Sequence, residues 1–252
     1  MFNRSLPLFI LALGMICPSP PQATATESEP GGRGRAALTA AAESGKYTFI
    51  LFWKQNDAPT KALLAVLDDS LAQRASEAAW VAVRAGDPAE QVVKQFNLSR
   101  SPMPMVLAVA PNGAVTGAFQ SNMTAEDVDS AIVTPTMMRC MKSIQEGKLV
   151  LLCVQTRAQA LPAGIQEFRG DPQFQQRTAV HKLLASDPSE TRFLQDLQID
   201  SRSKTAQAVL MAPPGVLIGK FPGTVSRNEL AAKLHAAGKC CDDPNCKHNH
   251  KK

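Results

Sequence analysis

The stretch Phe52-Trp53-Lys54-Gln55-Asn56-Asp57-Ala58-Pro59-Thr60-Lys61 joins an apolar strand, Tyr47 to Phe52, to a helix of about Pro59 to Ala75. Pro59 suits the first turn of a helix, where its missing N–H has no intrahelical partner anyway. Asp57 and Thr60 are residue types that cap helix starts. Phe52, Trp53 and Trp80 are large apolar side chains that read first as packing residues. Beyond the helix the chain supplies a strand (Trp80 to Arg84) and a helix (Pro88 to Phe96) opened by Asp87. Then come a hairpin, Met105 to Val109 and Ala114 to Phe119 about Pro111-Asn112-Gly113, and a last helix, Thr124 to Val133, opened by Thr124-Ala125-Glu126-Asp127. The order β-α-β-α-β-β-α implies an α/β fold, a mixed sheet sandwiched by helices.

The unit occurs twice. Gly45-Lys46 before the strand Tyr47 to Phe52 returns as Gly147-Lys148 before Leu149 to Val154, a step of 102 residues. Asp87-Pro88-Ala89-Glu90 returns as Asp187-Pro188-Ser189-Glu190, and Gln95-Phe96-Asn97-Leu98 is echoed by Asp196-Leu197-Gln198-Ile199. In both four-residue motifs the Asp reads as a cap for a helix with Pro in its first turn. The hairpin returns as Gln207 to Met211, Pro213-Pro214-Gly215 and Val216 to Phe221, and the capping box as Ser226-Arg227-Asn228-Glu229. The organisation read from this is a signal segment (1–25), a flexible linker (26–35), a first domain (36–141), a degenerate second domain (142–238) and a Cys/His-rich tail (239–252).

On these residues the chain resembles the thioredoxin-like superfamily, as two tandem thioredoxin-like domains. The resemblance rests on Phe52-Trp53, Pro59 and Lys61, on the element order, and on Pro104 in Ser101-Pro102-Met103-Pro104, which matches the family's cis-proline. It reaches the second unit mainly through the repeat. Where thioredoxins carry Cys-Gly-Pro-Cys-Lys, this chain has Asp57-Ala58-Pro59-Thr60-Lys61. Disulfide exchange needs an attacking thiolate and a resolving thiol, and Asp57 and Thr60 supply neither. Leu51 stands at the family's buried carboxylate, and the second copy, Gln155-Thr156-Arg157-Ala158-Gln159-Ala160-Leu161-Pro162, has no cysteine. At Ala206, the counterpart of Pro104, the cis bond is expected to be lost. The resemblance implies no catalytic residues and a concave, partner-binding surface at Trp53, Asp57, Thr60 and Pro104.

Residues 239–252, Lys-Cys-Cys-Asp-Asp-Pro-Asn-Cys-Lys-His-Asn-His-Lys-Lys, concentrate Cys240, Cys241, Cys246, His248 and His250. Three sulfurs and an imidazole suit tetrahedral zinc, and thiolate-rich sites suit copper(I). The spacing is not that of a zinc finger. A Cys240–Cys246 or Cys241–Cys246 disulfide, or an unstructured polar tail, are the other readings. Cys153 lies mid-strand and reads as a small buried hydrophobe. Cys140 lies in the connection between units, and a Cys140–Cys153 disulfide stays open. His181 reads as structural, and His235 as a complement to a helix dipole.

Arg4, the apolar run Leu6 to Ile16 and Ala23-Thr24-Ala25 have the pattern of a secretory signal, which implies export to a periplasmic or extracellular space. No segment of the mature chain is apolar enough to span a bilayer. The net charge of +5 is scattered, with few aromatics among the basic residues, which excludes a nucleic-acid footprint. The expected function is a redox-inactive, partner-binding protein. The alternatives are a metal chaperone or sequestering protein, and an atypical thiol-disulfide oxidoreductase using the tail cysteines.

Overall fold

The computed structural model describes residues 31–238, so the expected signal segment (1–25) and the Cys/His-rich tail lie outside the described residues. Two four-stranded mixed sheets form. The first has the order β2-β1-β3-β4, from β1 (Tyr47–Trp53), β2 (Ala78–Arg84), β3 (Met105–Val109) and β4 (Val115–Phe119). The second has the order β6-β5-β7-β8, from β5 (Leu149–Gln155), β6 (Thr178–Leu184), β7 (Gln207–Ala212) and β8 (Val216–Pro222). In each, the first strand is central, parallel to the second and antiparallel to the third. Each hairpin carries a bulge at the same place, Ala108/Val109 and Leu210/Met211.

Strand alternation divides β1 between two layers. Phe49 and Leu51 pack on Leu63, Leu67 and Leu71 of α2 (Ala58–Ala72) and on Val128 of α4 (Ala125–Ala131). Ile50 and Phe52 pack on the opposite side with Val92 and Val93 of α3 (Gln91–Gln95). The second sheet repeats the scheme. Leu149, Leu151 and Cys153 meet α6 (Ala163–Gly170) and α8 (Arg227–Gly238), while Val150, Leu152 and Val154 meet α7 (Thr191–Asp196). Both expected capping boxes form. The Asp127 N–H donates to Thr124 Oγ1 and the Thr124 N–H to Asp127 Oδ2, and Ser226 and Glu229 do the same.

Two helices precede the central strands without having been anticipated. The first, α1 (Gly32–Glu43), starts inside the stretch 26–35 read as a flexible linker. The second, α5 (Pro135–Gln145), crosses the boundary drawn at 141/142 and contains Cys140. Both depend on tertiary contacts. Helix N-termini leave N–H groups without partners, and here a buried glutamate takes them. Arg33 and Gly34 donate to Glu90 (both 3.0 Å), and Thr136 donates to Glu190 Oε1 (2.7 Å). Gly32 permits that approach: its φ is +85°, and a Cβ would lie 2.6 Å from a Glu90 carboxylate oxygen. The aspartates of the two motifs act more locally. Asp87 accepts the Ala89 N–H in a turn, so α3 begins at Gln91 rather than Pro88, and Asp187 caps only the single 3-10 turn Pro188–Glu190.

Helix α5 joins the halves. Met138 and Met141 pack on the first core, while Met137, Cys140 and Ile144 pack on the second. Among the described residues no helix is long and apolar enough to cross a membrane.

Candidate functional site

The end of β1 and the start of α2 meet the segment before β3. Asp57 is extended and caps α2, its Oδ1 accepting the Thr60 N–H at 3.1 Å. Thr60 is buried, and its hydroxyl donates to the Gln55 carbonyl at 2.8 Å. The Met103–Pro104 peptide bond is cis, as expected. Together Lys54, Gln55, Asp57, Thr60, Ser101, Pro102, Met103 and Pro104 line a cleft of about 310 Å³. The structure therefore brings Asp57, Thr60 and Pro104 together, and it adds Lys54, Gln55 and Met103. Their only signal in the sequence was adjacency to Asp57 and Pro104. Trp53 is not part of the lining. It is half-buried against the first core, with the Arg84 guanidinium 5.9 Å from its ring centre.

Chemically this cleft offers an exposed carboxylate, backbone around a cis proline, and a lysine. Hydrogen bonding from Thr60 holds the Asp57 carboxyl below the usual carboxylate range. Leu51 is fully buried on the α2 side of the strand. In the second half the equivalent cleft, about 450 Å³, is lined by Gln159, Ala160, Pro162, Thr205, Ala206, Pro222, Gly223 and Thr224. Among the described residues the cis bonds are Met103–Pro104 and Pro213–Pro214. Ala206 is thus not preceded by one, and the second cis proline, in the β7–β8 turn, was not anticipated.

Among the described residues the cysteines are Cys140 and Cys153, both buried and free. They pack on opposite faces of the second sheet, which removes the Cys140–Cys153 disulfide left open by the sequence. Burial pushes the Cys140 thiol up to about 12 and the Cys153 thiol up to about 11. His181 is half-buried, its Nε2 3.0 Å from Ser143 Oγ, and desolvation followed by nearby Arg139 lowers its pKa. His235 is exposed in the last turn of α8. No cluster of three or more His, Cys, Asp or Glu suited to a metal occurs among the described residues. Cys240, Cys241, Cys246, His248 and His250 lie outside them.

In each half the central strand pairs in parallel with the second and antiparallel with the third, and helices cover both faces; in the first half a cis proline also lines the cleft at the start of the first crossover helix. Both halves have the strand order and helix layers of a thioredoxin-like fold. No protein-family description and no curated protein matches the chain. Solved structures similar to it include the first two thioredoxin domains of Saccharomyces cerevisiae Eps1p, at 13% identity over 81% of this chain and 92% of that one, with a TM-score of 0.33. Thioredoxin O2 from Arabidopsis thaliana, in the oxidised state, is 12% identical over 39% of this chain and 83% of its own, with a TM-score of 0.32. A disulphide isomerase from Xylella fastidiosa Temecula1 is 16% identical over 47% and 96%, with a TM-score of 0.31.

Proposed function

We propose that this chain is an exported, redox-inactive protein of two thioredoxin-like domains that binds an extended segment of a partner protein in the Asp57–Pro104 cleft. One observation carries the reading: the cleft keeps its cis proline, while the two positions that would hold exchangeable sulfur are an exposed capping carboxylate and a buried, internally bonded hydroxyl. An extended peptide running past Pro104 would lie against the segment 101–104, with the side chains of Asp57 and Lys54 in the same cleft to bond its polar groups.

Screening the full chain against an array of short peptides tests this. Binders that lose affinity at least about tenfold with Asp57→Lys, roughly the cost of one charge-assisted hydrogen bond, support it. Peptides bound equally by wild type and variant would place recognition elsewhere.

A second reading is favoured by the density of ligands at Cys240, Cys241, Cys246, His248 and His250. The tail holds zinc or copper(I), and the two domains act as carrier. Metal content of the purified full chain, compared with a variant carrying serine at the three tail cysteines, checks it. Equal content in both would remove the tail from consideration.

A further inference from the structure

An edge strand carries a row of backbone groups without ladder partners, and the two halves of this chain treat the same edge differently. In the first half α5 covers β4. Val115 donates its N–H to Gln145 Oε1 (2.9 Å), and Gln145 Nε2 donates to the Val115 carbonyl (2.7 Å), so one side-chain amide stands in for a neighbouring strand. Asn112 Nδ2 donates to the Met138 carbonyl (3.0 Å), and the Tyr47 hydroxyl to the Val133 carbonyl (2.8 Å). Met138 and Met141 supply the apolar part of the contact.

In the second half Leu217 holds the place of Val115. Val109 pairs with Val115 and Met211 with Leu217, each immediately after the bulge. Leu217 is 47% exposed and its neighbour Val216 52% exposed, and no described residue covers them as α5 covers β4. At the other end of the chain, α1 stands to the first sheet as α5 stands to the second. Each precedes the central strand, takes its N-terminal N–H groups to a buried glutamate, and is followed by Gly-Lys. In that alignment Ala36, Thr39 and Glu43 correspond to Met138, Met141 and Gln145. Thr39 and Glu43 are exposed, and Ala36 is half-buried. Among the described residues the second half therefore leaves an uncovered edge and the first half an uncovered helix, and the internal junction is a pattern for joining the two.

We propose that copies of this chain associate head to tail, α1 of one copy lying on the β8 edge of the next as α5 lies on β4. Glu43 takes the Leu217 N–H as Gln145 takes that of Val115. A carboxylate has no donor for the Leu217 carbonyl, and Ala36 and Thr39 fill less space than two methionines, so the contact between copies is weaker than the one within the chain. It is heterologous, leaving a free helix and a free edge at the ends of every assembly, and it grows with concentration.

Sedimentation velocity of the full chain, in reducing buffer so that the tail cysteines do not link copies, tests this over a concentration series. The mean mass is expected to rise through the dimer and beyond. Leu217→Lys and Thr39→Arg are each expected to stay at the mass of one chain. Their equimolar mixture is expected to double in mass and stop there, because only one intact helix and one intact edge remain. Should Leu217→Lys lose its circular dichroism signal, Val216→Lys serves in its place. A wild-type chain that stays single at every concentration overturns the proposal. So does a Thr39→Arg variant that associates like wild type, which would indicate β8–β8 pairing, and so does a mixture that stays single while the wild type associates.

Discussion

At position 57 an aspartate does for the helix what no cysteine thiol does well: it accepts the Thr60 N–H and stays charged. The other site position, Thr60, has turned inward to bond the Gln55 carbonyl. Position 51 is a leucine with no exposure. The sulfur that the described residues retain is out of reach, since Cys140 and Cys153 lie in separate cores with thiols pushed up to about 12 and about 11. Thiolate is the reactive form, so both are expected to be inert in the native state. With the three tail cysteines replaced by serine, a thiol reagent near neutral pH should label the protein only after denaturation, at a rate that follows unfolding. Fast labelling of either residue in the native protein would contradict this burial.

At the level of elements, the central strands were legible because their apolar runs are uninterrupted and the repeat displays each twice. Helices α1 and α5 were not, for different reasons. The first is built mainly of Gly, Ala and Arg with one large apolar residue, Leu38, and it gains its N-terminal bonds from Glu90, distant in sequence. The second does carry apolar residues at helical spacing, Met137, Cys140, Met141 and Ile144, but it lies in the junction between the repeats and divides its contacts between two cores. Missing α5 is also why the Cys140–Cys153 pairing stayed open, since the helix puts Cys140 on one face of the sheet and strand alternation puts Cys153 on the other. The cleft was legible at Asp57, Thr60 and Pro104, which flank recognisable element ends, and Trp53 packs on the first core, the first of its two readings. Glu90→Ala removes two charge-assisted bonds and is expected to cost about 2 kcal/mol or more, measurable in urea. No change would deny Glu90 its role. The carboxyls of Asp57, Asp187 and Glu229 are lowered by hydrogen bonds from Thr60, Ser189 and Ser226. A depressed folded-state pKa adds stability above the unfolded value and gives it up as pH falls through the folded one. Asp57→Asn, which keeps a capping oxygen, should match wild type near neutrality and lose less of its thermal midpoint between about pH 5 and about pH 3.

Over the whole molecule, α5 makes the two sheets mechanically dependent: its removal from either core exposes the other. Unfolding is accordingly expected to be one transition. Met141→Asp, which puts a charge against the first core, should cost about 2 kcal/mol or more and separate the halves into two transitions by calorimetry. A single unshifted transition in that variant would show that the junction is not shared. The larger claim is that the chain presents a thioredoxin-like scaffold twice, keeps a binding cleft at Pro104 and exchanges no disulfides there. A disulfide-reduction assay on the full chain and on the variant with serine at Cys240, Cys241 and Cys246 addresses it most directly. Both should match the rate of the small-molecule reductant alone. Turnover above that background, persisting without the tail thiols, would contradict the account.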